Sequence, residues 1–232
     1  LTYYSFGTDF LVGTVAQNVM LVAAAITIVF GSTVALRTPH IKRRFAYSTV
    51  SNLSYIIFGI ALMTPLGLVA ALCHLVFHAF MKICGFFSAG AVLTASGRQY
   101  VYELDGIGRK MPVTFACFTV TALSLTGIPL FAGFVSKWKI AQAAFGVGTA
   151  LSFGAAAVLL YSALMTGIYM MTVVFRAWFP ERGTDAGASG EVREAGWMML
   201  VPLVVFALII VGFGFGSAPF AEYFEQIAGG VI

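Results

Sequence analysis

Leu68-Val69-Ala70-Ala71-Leu72-Cys73-His74-Leu75-Val76-Phe77-His78-Ala79-Phe80-Met81-Lys82 decides the fold. It belongs to an apolar run from Leu68 to about Thr94, long enough to cross a bilayer core, which needs about 20 apolar residues. Yet it carries two imidazoles and an ammonium at a spacing of four. Each step of four turns a helix by about 400°, so His74, His78 and Lys82 share one stripe, roughly 6 Å apart in rise. A charge at the centre of a bilayer costs at least about 2.5–3.5 kcal/mol and commonly marks a conduction path. A membrane helix with a basic seam is the starting point.

The rest of the chain agrees with a membrane protein. Of 232 residues, 60% are hydrophobic and 9% charged, against about 25% charged in a soluble domain. Five further apolar stretches are predicted to span: Val15–Leu36, Phe45–Met63, Val113–Phe145, Thr149–Phe175 and Trp197–Phe215. The fourth span in chain order, Val113–Phe145, is interrupted near Gly127-Ile128-Pro129, in the stretch that ends at Gly133, because proline removes a backbone donor and clashes with the preceding turn. The expected fold is all-α and polytopic, about six transmembrane helices in one membrane domain over residues 1–232. The chain begins at Leu1 without a signal-like pattern, which reads as the edge of a longer chain.

The formal charge of +4 suits an acidic partner such as nucleic acid, but the placement of the charges points elsewhere. Ten of the thirteen basic residues fall after the first, third and fifth spans: Arg37, Lys42, Arg43, Arg44, Arg98, Arg109, Lys110, Arg176, Arg182 and Arg193. By the positive-inside rule those connections are cytoplasmic and both termini face outward. The inner, cytoplasmic membrane is the expected location, lipid the surrounding medium, and no nucleic acid a partner. The loop Glu103–Pro112 and the Gly- and Ala-rich segment Glu181–Glu194 are read as solvated connections, the latter flexible. Cys73, Cys84 and Cys117 all sit in apolar runs without a C-x-x-C pair, as buried reduced thiols do.

Lys82, Lys137 and Lys139 remain, all within predicted spans. Imidazole accepts a proton on one nitrogen and releases one from the other near neutral pH. A lysine in low dielectric yields its proton readily. His74, His78 and Lys82 therefore make a candidate proton relay. The competing reading is structural, with the histidines bonded to neighbouring helices and Lys82 snorkelling to the surface. Two histidines at i and i+4 also suit zinc, but further ligands are needed and none of the six spans carries Asp or Glu. Haem between two histidines would want them on different helices. Lys137 lies about a turn past the break, and unwound backbone at membrane depth is tolerated beside protein or a water-filled cavity. The competing reading there is a simple kink. Lys139, about 200° further round, is read as structural. On the second span Ser48, Ser51, Asn52 and Tyr55 mark one polar face, which either packs or lines a hydrated path. Arg43 and Arg44 are read as topology anchors.

Three segments together resemble one family. Lys42-Arg43-Arg44-Phe45-Ala46-Tyr47-Ser48-Thr49-Val50-Ser51, His74 through Lys82, and Gly127-Ile128-Pro129 through Lys137 are similar, in order, to signatures of antiporter-like proton-conducting membrane subunits. That family includes the large membrane subunits of respiratory complex I, of membrane-bound hydrogenases and of multisubunit Na⁺/H⁺ antiporters. The resemblance implies two inverted five-helix repeats, the first five spans here being the second repeat and the sixth a helix that follows. It implies Lys82 as a central-axis lysine with His74 and His78 as its relay, Lys42 as a lysine near the cytoplasmic side, and Lys137 as the terminal group on the broken helix. The expected activity is proton translocation in a redox-driven, complex I-like or hydrogenase-type assembly with quinone or related partners. The alternative is a secondary Na⁺/H⁺ antiporter. No flavin, haem or iron–sulfur motif is visible, so no cofactor is expected in this chain, nor bond-making chemistry on a substrate. Two departures stand out: the first repeat is absent, and His40 occupies a position where many members carry an acidic residue.

Overall fold

The computed structural model describes residues 8–180 and 192–230. It is all-α, in the order α1 (Thr8–Leu11), α2 (Val15–Arg37), α3 (Ile41–Ala61), α4 (Pro65–Ser96), α5 (Ile107–Lys110), α6 (Pro112–Thr126), α7 (Ala132–Val147), α8 (Ala150–Trp178), α9 (Trp197–Phe215) and α10 (Ala218–Gly229). Among the described residues no strand occurs, and an isolated bridge pairs His40 with Tyr100. By length and composition α2, α4, α8 and α9 can each cross a membrane. Helix α3 has 21 residues but opens on Lys42-Arg43-Arg44 and carries the polar face. Helices α6 and α7, with 15 and 16 residues, are the two halves of the interrupted span.

Local chemistry sets the boundaries. Thr14 caps α2, its hydroxyl accepting from the Gln17 amide. Thr64 caps α4 ahead of Pro65, whose missing N–H costs nothing in a first turn. Gly97 ends that helix in the left-handed conformation at φ +70°. Thr149 and Ser152 exchange side-chain-to-backbone bonds at the start of α8, a capping box. Glu194, expected in a solvated loop, instead accepts from the Val113 amide and the Thr114 hydroxyl and so caps α6. Residues 181–191 of that segment, with Arg182, lie outside the described residues.

The connection after α4 is tied down rather than free. Ile41 N–H donates to Gln99 O and Val101 N–H to Pro39 O, both at 2.9 Å, so the α2–α3 turn is stitched to it. The Glu103 carboxylate accepts from the amides of Tyr100 and Gln99, which hold it below the usual carboxylate range. Leu104, Ile107 and Met111 are buried beneath this plate while Arg109 and Lys110 remain exposed. The solvated reading of 103–112 therefore holds for its charges and fails for its apolar residues.

One correction concerns the C-terminal end. No span is predicted after Phe215, yet α10 forms there and packs against α4. It buries Ala221, Phe224 and Ala228, and sets Glu225 4.0 Å from Lys139. Lys139, read as structural, thus has an acidic partner that the sequence did not suggest.

Candidate functional site

Helix α4 runs through the middle of the bundle, in contact with α3, α6, α7, α9 and α10. That position explains how three basic residues stay inside. His74, His78 and Lys82 are 0%, 4% and 6% exposed, which rules out a lysine snorkelled to the surface. The imidazoles of His74 and His78 stack at 5.6 Å between centroids, close to the rise expected from their spacing. The Tyr55 ring stacks on the other side of His74 at 5.4 Å. His74 Nδ1 lies 2.9 Å from Ser136 Oγ on α7. Lys82 Nζ donates to Ser48 Oγ at 2.7 Å and to the Phe45 carbonyl at 3.2 Å.

Lys137 joins this row from the broken helix. α6 stops at Thr126 because Gly127 turns left-handed at φ +93°, two residues before Pro129. The last carbonyls of α6 then lack helical partners. Lys137 Nζ donates to Leu125 O at 2.5 Å and lies 3.5 Å from Thr126 O, capping the negative end of the half-helix. The same ammonium sits 5.4 Å from the centroid of Tyr55. Gly133 is where the halves pass each other: its amide donates to Ser124 Oγ, and its Cα leaves no room for a side chain. The interruption is therefore a true division into two half-helices, beyond the simple kink.

Three of the four polar residues expected on α3 border the row. Ser48 contacts Lys82, Tyr55 lies between Lys137 and His74, and Asn52 donates to Ser48 O. Ser51 turns the other way, into a buried triangle of hydroxyls with Ser32 and Ser162. Asn52 Oδ1, His74 Nε2 and His78 Nε2 are buried without a hydrogen-bond partner among the described residues. Clustered buried polar atoms of this kind commonly hold ordered water.

Two basic residues at the start of α3 differ in burial. Lys42 is exposed on the first turn of α3, beside His40, Ala89, Leu93 and Arg98, and is not brought to the row. Arg44, read as a surface anchor, is 6% exposed. Its guanidinium donates to Thr38 O and Tyr169 O at 2.8 Å each and reaches Leu36 O at 3.5 Å. Arg44 lies two residues on from Lys42, about 200° round α3, on a face it shares with Ser48 and Ser51. Reading charge alone missed this; helical phase carries the signal. Sequence reasoning also passed over Ser162, Thr166 and Tyr169 on α8. They recur at offsets of four and three, the same periodicity that singled out the α3 face.

Comparison with known proteins gives the family of the chain. Residues 4–166 match the family described as NADH:quinone oxidoreductase/Mrp antiporter, transmembrane region. The chain belongs to this family. Its relatives include NADH-quinone oxidoreductase subunit N of Desulforudis audaxviator, 34% identical over 218 residues, covering 90% of this chain and 42% of that protein. F(420)H(2) dehydrogenase subunit L of Methanosarcina mazei is 33% identical over 223 residues, covering 90% and 33%. Among solved structures, a chain of the Mrp complex from Dietzia sp. DQ12-45-1b superposes with a TM-score of 0.83 at 23% identity, over 93% of this chain and 47% of that one. The chain thus spans less than half the length of these family members, and it is an integral, multi-pass membrane protein like them. All three signature segments fall inside the matched residues, whereas Tyr169 falls beyond them.

Proposed function

We propose that this chain conducts protons as part of an antiporter-like membrane subunit in a redox-driven complex of the NADH–quinone or F420H2 dehydrogenase kind. The observation that carries the reading is the buried row Lys137, Tyr55, His74, His78, Lys82, bordered by Ser48 and Asn52 and holding unpartnered polar atoms within it. Buried ionisable groups at one helix spacing, with room for bridging water, pass protons by changing charge in turn. Lys82 and Lys137 change protonation, and His74, His78 and water connect them. Gly127, Pro129 and Gly133 hold the break that keeps Lys137 against the end of α6. Lys42 serves the cytoplasmic margin, outside the row. Electron transfer belongs to other chains of the complex, and this chain carries no cofactor of its own. The connections after α2, α4 and α8 face the cytoplasm and both termini face outward, in line with the basic residues there.

Proton uptake into vesicles containing the assembled complex tests this, with substrate turnover followed in parallel. Lys82→Met is expected to abolish uptake through this subunit while the complex stays assembled. Unchanged uptake and turnover in an assembled Lys82→Met complex would make Lys82 structural and end the reading. The fold shared with the Mrp complex keeps a Na⁺/H⁺ antiporter subunit as the second reading. That reading expects uptake driven by a Na⁺ gradient without redox substrate, and lost when K⁺ replaces Na⁺.

A further inference from the structure

Lys82 has one side-chain hydrogen-bond partner among the described residues, Ser48, and Ser48 in turn meets Tyr169. The Tyr169 hydroxyl, on a fully buried side chain, lies 2.8 Å from Ser48 Oγ and 3.2 Å from Thr166 Oγ1. A phenol has one hydrogen, so it serves one of these two oxygens at a time or shares itself poorly between them. Thr166 is not free to compete, because its own hydrogen is given to Ser162 O at 2.7 Å. The backbone of Tyr169 is held as well, its carbonyl taking a 2.8 Å bond from Arg44. What can move in this chain of hydroxyls is where two hydrogens point.

Their direction is linked to the charge on Lys82. With Lys82 as an ammonium, Nζ donates to Ser48, Ser48 turns its hydrogen to Tyr169, and Tyr169 turns its hydrogen to Thr166. With Lys82 neutral, its lone pair accepts from Ser48, and Tyr169 turns back to donate to Ser48. Every hydroxyl hydrogen has an acceptor in both arrangements, and the hydroxyls break no covalent bond in turning. In the first arrangement the hydroxyl dipoles all point away from the ammonium, which strengthens each bond in turn. We infer that Tyr169 is a positioning residue that sets the proton affinity of Lys82 through Ser48, by a two-way hydroxyl switch between Ser48 and Thr166. This rests on Lys82 as a proton carrier and adds the residue that tunes it.

Other titratable groups lie on Lys82's own helix and on the helices packed against it, and they stay constant in the test. These are His74 and His78 on its own helix, Arg44 and Tyr55 on α3, Lys137 on α7, and the thiols of Cys84 and Cys117. Helix α9 brings no titratable side chain, and α10 brings Glu222, Tyr223 and Glu225, the last paired with Lys139.

The test is the pH profile of proton uptake by vesicles containing the assembled complex, wild type against Tyr169→Phe. Removing the phenol oxygen takes away the acceptor that lets Ser48 face the ammonium, so Lys82 should release its proton more readily. The alkaline limb of the profile is expected to move to lower pH by about half a unit to one unit, the scale of one hydrogen bond to a charged network. The shift should vanish in a Ser48→Ala background, and Thr166→Val should give a smaller shift of the same sign. A uniform loss of uptake without movement of the limb would make Tyr169 merely structural. A full shift that survives in Ser48→Ala would also overturn the inference. If Lys82→Met itself left uptake intact, the failure would belong to the proton-conduction reading instead.

Discussion

Gly133→Ala is expected to destabilise the folded bundle by about 3 kcal/mol or more, toward the upper end of what one added carbon does in a packed interior. A Cβ built on Gly133 meets the Ser124 carbonyl oxygen within covalent range, and that oxygen is backbone. Side chains move aside cheaply; here two half-helices would have to separate. The Met81 sulfur closes the third side at 3.3 Å, so sliding along the seam gives no relief. Separation would also lengthen the reach of Lys137, four residues on, to the carbonyls of Leu125 and Thr126. Thermal unfolding of the detergent-solubilised complex, together with the amount of chain recovered in membranes, reads both consequences. Gly90→Ala, on the central helix α4, is the control, since nothing lies within 4 Å of its Cβ. That substitution should be neutral or mildly stabilising, because alanine is favoured over glycine in a helix by up to about 1 kcal/mol. Equal behaviour of the two variants would show that the close passage at Gly133 does not hold the halves together.

The contrast between these glycines also marks how far sequence reasoning reached. Apolar length alone placed α2, α4, α8 and α9 to within a few residues, since lipid leaves few alternatives to a helix of fixed length. The spacing of His74, His78 and Lys82 predicted a shared stripe, and the stacked rings at 5.6 Å agree. Gly127 and Pro129 predicted an interruption, but its consequence, a lysine capping the half-helix it follows, depends on a tertiary approach that no local pattern encodes. Helix α10 was missed for a different reason. Its twelve residues mix Glu222, Glu225 and Gln226 with Phe224 and Ala228, too polar for a span and too short for a strong periodic signal. It is held by packing on α4, and packing partners are not written in a single helix. The hydroxyls of Ser162, Thr166 and Tyr169 lay in an apolar run where polar side chains that bond their own backbone excite little notice.

Arg44 gives the sharpest test of what helical phase adds to charge counting. Arg44→Met is expected to cost about 2–3 kcal/mol in thermal unfolding, while Lys42→Ala and Arg43→Ala stay within about 0.5 kcal/mol of the parent. All three are basic, and all three sit in one turn at the start of α3. Only the third points inward, where its fork ties the end of α2, through Leu36 O and Thr38 O, to Tyr169 O on α8. Methionine fills much of the volume but donates nothing. The Thr38 carbonyl is partly exposed and can turn to water, whereas the Tyr169 carbonyl is fully buried and loses its second bond. Arg44→Lys should recover about half of the loss, because an ammonium keeps the charge but cannot span the two donors' directions of a guanidinium fork. If the charge alone mattered, Arg44→Lys would match the parent. If a surface role were correct after all, Arg44→Met would unfold no earlier than Lys42→Ala. The expected order, with Arg44 far costlier than either neighbour, follows from two geometric facts: a helix of 3.6 residues per turn, and a face already claimed by Ser48 and Tyr55.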